Sequence, residues 1–384
     1  MELDLRVDDL FSEEEKILRR TVRKFVENEF LPLVQEMYET SRFPMEIVPR
    51  LGKLGLLGMK LSGYGCAGMS NVCYGIACEE LEAGDSGLRS FMSVTTSLFM
   101  YPVREFGSEE QRQEWLPRLT RGEAIGCFGL TESQGGSDPA ANKTYARKSG
   151  GDWIINGNKM WITNGNVADV ALVWARTNDG MRAFLVEKGT PGFSAVEIKH
   201  KLSMRASVTS ELVLEDVRVP ERNRLPEVTG LKQALMCLNE ARYGIGWGAM
   251  GAARACFESA LDFARNRVLF GKSLSSRQLT QAKLARMLTE IVKGRLLALH
   301  VGRMKDQGNW DHCMISMLKM NNVAEAIKIA REARSILGAY GISLEYPVMR
   351  YANNLESVYT YEGANEVHLL ILGNGITGEN AFRN

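Results

Sequence analysis

The spacing of apolar side chains changes twice along the chain, which predicts three parts with different secondary structure. Up to about residue 121, apolar residues recur every three or four positions, as in amphipathic α-helices. After Gly122, short apolar runs alternate with turn residues, which favours β-strands. From about Leu231 the helical spacing returns in longer elements. We therefore predict an α+β protein with an N-terminal α-helical domain (1–121), a middle antiparallel β domain (122–228) and a C-terminal helical bundle domain (229–384).

The N-terminal third opens with a helix-start signal. Ser12 and Glu15 fit an S-x-x-E capping box, in which each side chain satisfies the backbone amide of the other residue. The apolar residues predicted to share one face of this helix are Ile17, Leu18, Val22, Phe25, Val26 and Phe30. Further helices are predicted at about 44–56, 72–82, 95–106 and 109–119.

Two turn signals divide the middle third into predicted strands. Asn156-Gly157 stands between the runs 153–155 and 159–163, and Asn-Gly at such a place is a strong hairpin signal. The turn 178–180 separates two further runs, and a last strand at 211–219 ends before Pro220. The pattern predicts an antiparallel sheet or a small barrel.

Long helices are predicted for the last third, at about 231–267, 278–306 and 312–337, followed by two shorter ones. Four or five helices of this length form a bundle. Because no long linker separates the three parts, we expect them to pack as one rigid unit.

Composition and charge exclude several classes of protein. A net charge of +1 gives no general attraction to nucleic acid or to an anionic membrane, and no run of 18 apolar residues predicts a transmembrane helix. Seven scattered cysteines without a C-x-x-C pair favour neither a disulfide framework nor a zinc site. The acidic N-terminus lacks a targeting pattern, so we expect a cytoplasmic protein, or one of the mitochondrial matrix if a presequence has been removed.

Several common catalytic motifs are missing or misplaced. The segment Gly246–Gly251 matches G-x-G-x-x-G, but it lies in a predicted helix, so it indicates close approach of another helix or a ligand rather than a dinucleotide fold. The four histidines lack metal-binding spacing and G-x-S-x-G is absent, so neither a metal site nor a serine hydrolase is predicted.

Three segments remain as candidates for chemistry. The residues 128–138 are rich in small and hydroxyl side chains and form either a ligand-binding loop or an ordinary surface turn. The triplet Trp161–Thr163 is either part of the same site or a strand with a core tryptophan. Glu362, between Tyr361 and Gly363, is either a reactive carboxylate or a charge that interacts with a helix dipole.

Taken together and in order, these segments resemble the acyl-CoA dehydrogenase family. The motifs that carry the resemblance are Phe128–Asp138, Trp161-Ile162-Thr163, Arg267-x-x-Phe270-Gly271, Gln278, Leu337-Gly338-x-x-Gly341 and Tyr361-Glu362-Gly363. The resemblance spans essentially the whole chain. It implies the acyl-CoA dehydrogenase fold, a bound FAD, a homotetramer, and electron-transferring flavoprotein as the electron acceptor.

The resemblance also implies roles for residues. Glu362 corresponds to the base that removes the α-proton of an acyl thioester, and the flavin accepts hydride from Cβ. The residues implied to bind FAD in the same subunit are Phe128, Leu130, Thr131, Gly136, Ser137, Trp161, Ile162, Thr163 and Ala364. Those implied to reach the FAD of a neighbouring subunit are Arg267, Phe270, Gln278, Gly338, Ala339, Tyr340, Gly341 and Ile342.

Within the family the chain is most similar to the glutaryl-CoA dehydrogenases, through Asp85–Ser90, Cys127–Glu132, 238–244 and 354–363. The similarity implies that Arg89 meets the distal carboxylate of the substrate, a task that suits a forked cation. The acyl pocket would include Glu82, Ser90, Ser93, Tyr361 and Gly363, while Ser137, Arg242 and Phe382 would lie along CoA. It implies oxidation of glutaryl-CoA and decarboxylation to crotonyl-CoA.

Other functions stay open at the level of sequence. Ala339-Tyr340 stands where the family has Gly-Asn, Ala364 replaces a threonine and Asn374 replaces an arginine. These departures leave room for another short-chain, branched or carboxylated acyl thioester, on CoA or a carrier protein, without decarboxylation. In that case Arg89 caps its own helix. A protein that binds flavin or acyl-CoA without catalysis is the remaining alternative.

Overall fold

The computed structural model describes residues 4–382 and has helices at both ends of the chain with a sheet between them. The N-terminal helices are α1 Glu13–Phe25, α2 Leu31–Thr40, α3 Val48–Lys53, α4 Asn71–Gly84, α5 Ser86–Ser93, α6 Tyr101–Phe106 and α7 Glu109–Thr120. Two π-helical segments, Val26–Phe30 and Val94–Met100, continue α1 and α5. Two short strands, β1 Ser62–Gly63 and β2 Cys66–Ala67, form a small hairpin.

The capping box at the start of α1 is confirmed. Oγ of Ser12 accepts from the backbone N of Glu15 at 3.3 Å, and Oε2 of Glu15 accepts from the backbone N of Ser12 at 2.8 Å. The prediction that Ile17 belongs to the buried face is wrong, because its side chain is 55% exposed. Leu18, Val22 and Phe25 follow the helical repeat and are buried. Ile17 lies about 100° around the helix axis from Leu18 and so faces away from that side.

The middle part is one seven-stranded sheet, in which the order is β3-β6-β4-β5-β9-β8 and β7 pairs with β6. Its strands are β3 Gly126–Gly129, β4 Tyr145–Ser149, β5 Asp152–Thr163, β6 Val170–Thr177, β7 Gly180–Glu187, β8 Phe193–Glu197 and β9 Thr209–Pro220. The sheet is mainly antiparallel, as predicted, but β3 and β4 each pair with β6 in parallel. The hairpin at 178–180 and the strand ending at Pro220 are confirmed.

The predicted hairpin at Asn156-Gly157 is wrong. Strand β5 runs through this dipeptide, and its register with β9 shifts between Ile155 and Gly157, which marks a bulge. Gly157 has φ 144°, and a Cβ atom there would lie 2.5 Å from Oγ1 of Thr144. The glycine is therefore required by the bulge and by this close contact. The turn that joins β4 to β5 lies earlier, between the paired residues Ser149 and Asp152.

Five helices make up the C-terminal part, with bounds that agree with the predicted spacing: α8 Leu231–Asn266, α9 Gln278–Asp306, α10 His312–Leu337, α11 Val348–Thr360 and α12 Asn365–Thr377. A short hairpin, β10 Val268–Leu269 and β11 Lys272–Ser273, joins α8 to α9. Helix α8 packs on α4 and α10 through glycines. A Cβ atom would lie 2.4 Å from Leu318 at Gly246, 2.1 Å from Glu82 at Gly248 and 1.9 Å from Glu79 at Gly251. The G-x-G-x-x-G match is therefore a helix-packing face.

Candidate active site

The turn Tyr361–Gly363 joins α11 to α12 and carries Glu362 with a left-handed backbone, at φ 52°. All three peptide oxygens of the turn accept hydrogen bonds from cations. Nζ of Lys319 donates to the oxygens of Tyr361 at 2.7 Å and Gly363 at 2.6 Å. Nε of Arg242 donates to the oxygen of Glu362 at 2.7 Å. Helices α8 and α10 thus fix a strained turn that local sequence does not stabilise.

The Glu362 side chain is half-buried and lies in a cationic environment. Its Oε2 atom is buried and has no hydrogen-bond partner among the described residues. Burial raises the pKa of Glu362 above its usual range, while Arg89, Lys319 and Arg242 act in the opposite direction. A carboxylate with a free oxygen and a raised pKa is suited to accept a proton near neutral pH.

Arg89 on α5 is fully buried beside this turn. Its Nε donates to Oε2 of Glu82 on α4 at 2.6 Å, and its Nη2 donates to the hydroxyl of Tyr361. Within residues 4–382 no hydrogen bond uses Nη1 of Arg89, and Oε1 of Glu82 is buried without a partner. Gly248 leaves the space that the Arg89–Glu82 pair occupies, since its Cβ would clash with Glu82.

The polar lining continues along α5 and the π-helical segment after it. Ser90 and Ser93 are buried, and the hydroxyl of Tyr74 is 3.3 Å from Oγ of Ser93 and 3.0 Å from Oγ of Ser97. Tyr74, Ser93 and Ser97 therefore form a buried group of hydroxyls between α4 and the segment that continues α5. Ser90 and Ser93 keep their predicted place in the acyl pocket as a prediction.

His368 on α12 was not among the sequence candidates. It is completely buried, and neither ring nitrogen has a hydrogen-bond partner in the described part of the chain. Burial, together with Lys319 and Arg242, lowers the pKa of His368 to about 3, so the ring is neutral. A Cβ atom at Gly363 would lie 2.9 Å from its Nε2, which explains a glycine after Glu362. No sequence motif pointed to this contact.

A buried ion pair supports the loop that follows β3. The Glu132 carboxylate accepts from Nζ of Lys159 at 2.8 Å and from the backbone N atoms of Lys143 at 2.6 Å and Thr144 at 2.9 Å. Lys159 also donates to the oxygen of Leu130 at 3.1 Å. Burial lowers the pKa of Lys159 to about 8, and the bonds from Lys159 and the loop amides hold that of Glu132 at about 2 despite its burial.

This pair sets the position of residues that the sequence assigns to a ligand. Phe128, Leu130 and Ile162 are buried, Thr131 and Thr163 are half-buried, and Gly136 and Ser137 are exposed. Trp161 is 59% exposed with φ 63°, so the alternative of a core tryptophan is wrong. The loop and the end of β5 present a flat aromatic ring beside hydroxyl groups.

The residues assigned to a neighbouring subunit lie on exposed turns of the C-terminal part. Phe270 is 97% exposed with φ 51°, and Arg267, Gln278 and most of 338–342 are exposed as well. The Arg267 guanidinium lies 5.7 Å from the ring centre of Tyr340. Phe382 is also exposed, and Ala364 stands directly before α12. Their assignments stay predictions.

Replacing Lys159 with methionine is expected to destabilise the protein and loosen its hold on a ligand. The change leaves the Glu132 carboxylate buried without its cation, which costs about 3–5 kcal/mol. Chemical unfolding and cofactor content after gel filtration measure the two effects. Lys148→Met, at an exposed lysine of β4, is the matched control. Equal stability of the two variants would contradict the role given to this pair.

Three family models match the chain in order. The acyl-CoA dehydrogenase N-terminal domain matches residues 12–123, the middle domain matches 127–217 and the C-terminal domain matches 229–377. In the part of the chain that the structure describes, no helix combines the length and the apolar character that a membrane-spanning segment needs.

Individual proteins are similar over nearly the full length. Short-chain specific acyl-CoA dehydrogenase, mitochondrial, of Rattus norvegicus is 38% identical over 370 residues, which cover 94% of this chain and 89% of the relative. A crystal structure of glutaryl-CoA dehydrogenase from Mycobacterium smegmatis is 57% identical, with a TM-score of 0.97, covering 98% of this chain and 97% of that one. A second, of that organism's enzyme in complex with FADH2, is 56% identical, with a TM-score of 0.98 and coverage of 99% and 98%.

Proposed function

This chain belongs to the acyl-CoA dehydrogenase family, and on that premise we propose that it uses FAD to oxidise glutaryl-CoA, with Glu362 as the base. The α-proton of an acyl thioester is weakly acidic, so its removal needs a carboxylate close to neutral pKa and a polarised carbonyl. The buried, unpartnered Oε2 of Glu362 supports this role. Its raised pKa supports it further.

FAD suits the residues around the sheet. Trp161 offers an exposed ring, and Thr131 and Thr163 offer hydroxyl groups on a loop that the Glu132–Lys159 pair holds in place. When bound, the flavin supplies the hydride acceptor that no side chain provides. The M. smegmatis structure with FADH2 supports the same cofactor. We propose that the remaining assigned residues, including those on a neighbouring subunit, complete the site in a homotetramer.

The observation that carries glutaryl-CoA as substrate is the buried Arg89. Its guanidinium is held by Glu82 and Tyr361, next to the proposed base, and one of its nitrogens makes no hydrogen bond in residues 4–382. A desolvated guanidinium binds a carboxylate strongly and in a defined geometry. Arg89 is therefore suited to hold the distal carboxylate while Glu362 acts at the α-carbon.

We propose that decarboxylation follows the oxidation. Removal of hydrogen from the α- and β-carbons gives glutaconyl-CoA. Loss of the distal carboxylate as carbon dioxide then gives a conjugated carbanion, which takes a proton to become crotonyl-CoA. We propose that a proton returns from Glu362, the acidic group formed in the first step. Electrons would leave the reduced flavin to electron-transferring flavoprotein, in a cytoplasm or a mitochondrial matrix.

A second candidate is the oxidation of a short-chain acyl-CoA without decarboxylation. The 38% identity to the short-chain specific relative favours it, as do the departures at Ala339, Tyr340, Ala364 and Asn374. In that case Arg89 and Glu82 form a structural pair. The two candidates differ in whether a distal carboxylate is required.

Anaerobic titration of the yellow holoprotein with glutaryl-CoA and butyryl-CoA separates these candidates. We expect glutaryl-CoA to bleach the flavin with a second-order rate constant about 100-fold higher or more than butyryl-CoA, because the analogue leaves the buried guanidinium without a distal carboxylate. Release of carbon dioxide with glutaryl-CoA is expected in a stoichiometric assay. Equal use of both thioesters would reject glutaryl-CoA as the substrate, and a protein that never bleaches would reject the dehydrogenase.

A further inference from the structure

Lys319 is a buried lysine without a part in the chemistry described so far. It lies on α10 with 1% of its surface exposed, and its ammonium group contacts the turn that carries Glu362. The two oxygens it reaches, those of Tyr361 and Gly363, belong to the residues on either side of Glu362. One side chain therefore holds both ends of the base's own peptide segment.

The turn needs such a support because its conformation is unfavourable. Glu362 has φ 52° and Gly363 has φ 97°, and a residue with a Cβ atom rarely adopts the left-handed region. Such strain costs on the order of 1–3 kcal/mol and persists only where the surroundings impose it. A turn without Lys319 would leave two inward-facing peptide oxygens without donors, which favours a relaxed backbone and a displaced carboxylate.

We propose that Lys319 is a positioning residue for Glu362, holding the carboxylate in the orientation and charge state needed for proton removal. This inference rests on the proposed role of Glu362. It concerns α10, which contributes no other residue to the proposed chemistry.

Charge is the second means by which Lys319 acts on Glu362. The charged and titratable groups around this carboxylate are Glu82 on α4, Arg89 on α5, Arg242 on α8, Lys319 on α10, Tyr361 in the turn and His368 on α12. Lys319 favours the ionised form of Glu362, and burial lowers the pKa of Lys319 itself to about 7. A neutral amine keeps two N–H groups, so both hydrogen bonds survive loss of its proton.

The sign of the pH effect follows from these contacts. Glu362 acts as a base only when ionised, so the reaction rate falls as pH drops through its pKa. Burial raises that pKa, and the positive charge of Lys319 opposes the rise. Removal of the charge should therefore move the acid limb of the rate profile to higher pH. A lysine that only fills space and supports folding would leave this limb in place.

Two variants separate the hydrogen bonds from the charge. Lys319→Met has a similar volume but neither donor nor charge, whereas Lys319→Gln keeps an amide donor without the charge. Lys328→Met is the matched control, since Lys328 lies on the same helix, is exposed and pairs only with Glu325 in the described chain. FAD content, KM, and the limiting rate of anaerobic flavin bleaching between pH 5.5 and 9 are measured for each, on the intact holoprotein.

We expect Lys319→Met to lower the limiting bleaching rate about 10- to 100-fold, the scale of a misplaced reacting group, with KM nearly unchanged. Lys319→Gln should lose less rate yet show the same shift of the acid limb. The proposal would be overturned if both variants kept the wild-type bleaching rate and the wild-type acid limb of the pH profile. If Lys319→Met fails to fold, the result for Lys319→Gln alone decides. Failure of the proposed function is a separate result, since Glu362→Gln would then still bleach.

Discussion

Replacement of Glu362 by glutamine is expected to slow anaerobic flavin bleaching by about 10²- to 10⁴-fold, the usual contribution of a positioned base. The amide keeps the shape of the side chain but cannot accept the α-proton. FAD content and acyl-CoA affinity should remain, because the peptide oxygen of Glu362, not its carboxylate, bonds Arg242. Stopped-flow absorbance of the flavin with excess substrate measures the rate.

Glu366→Gln provides the matched control. Glu366 lies in the first turn of α12, four residues further on, and its side chain is exposed. It should bleach at the rate of the wild type. A near-normal rate in Glu362→Gln would mean that another group removes the proton and would remove the basis for the role of Lys319 as well.

Replacement of Arg89 by methionine is expected to abolish the preference for glutaryl-CoA over butyryl-CoA. Loss of the guanidinium leaves a distal carboxylate buried without a cation, a penalty of about 3–5 kcal/mol, or roughly 10²- to 10⁴-fold in kcat/KM. Butyryl-CoA lacks that carboxylate and should lose much less. The ratio of the two kcat/KM values is the measurement, because damage common to both substrates cancels in it.

The partner of Arg89 calls for a further control. Arg89→Met also leaves Glu82 unpaired, since Nε of Arg89 bonds Oε2 of Glu82. The double variant Glu82→Gln/Arg89→Met removes that second buried charge and should recover butyryl-CoA activity without recovering glutaryl-CoA activity. A parallel loss with both thioesters would assign Arg89 a structural role and favour the short-chain alternative.

The sequence predicted those parts of the fold in which local pattern and tertiary packing agree. The bounds of α9 and α10 and the capping box at Ser12 follow from helical periodicity and from contacts three residues apart. The hairpin predicted at Asn156-Gly157 was wrong because this dipeptide occurs in bulges as well as in turns. The choice between them depends on Thr144, which lies just before β4 and is distant in the local sequence pattern.

In the candidate site, too, the sequence predicted some residues and missed others. Glu362 and Arg89 were found through ordered motifs, which reflect a family and not a physical rule that the sequence displays. Lys319, His368 and Lys159 were not found, because a buried lysine or histidine looks like any other polar position of a helix or strand. The role of Lys319 depends on its contact with Tyr361, which is 42 residues away in the chain. That of Lys159 depends on its contact with Glu132, 27 residues away.

The glycine face of α8 bears on which acyl chains the protein accepts. At Gly251 the backbone of α8 meets the main chain of Glu79 on α4, and at Gly246 and Gly248 it packs directly against the side chains of Leu318 and Glu82. Helices α8, α4 and α10 therefore have little freedom to slide. Arg89 is tied to α4, and the Glu362 turn is tied to α8 and α10. Close packing of these helices therefore restricts the separation between guanidinium and base. On the proposed role of Arg89, dicarboxylic thioesters one carbon shorter or longer would have to bend or stretch to meet both groups, so we expect the rigid helical frame to favour one chain length.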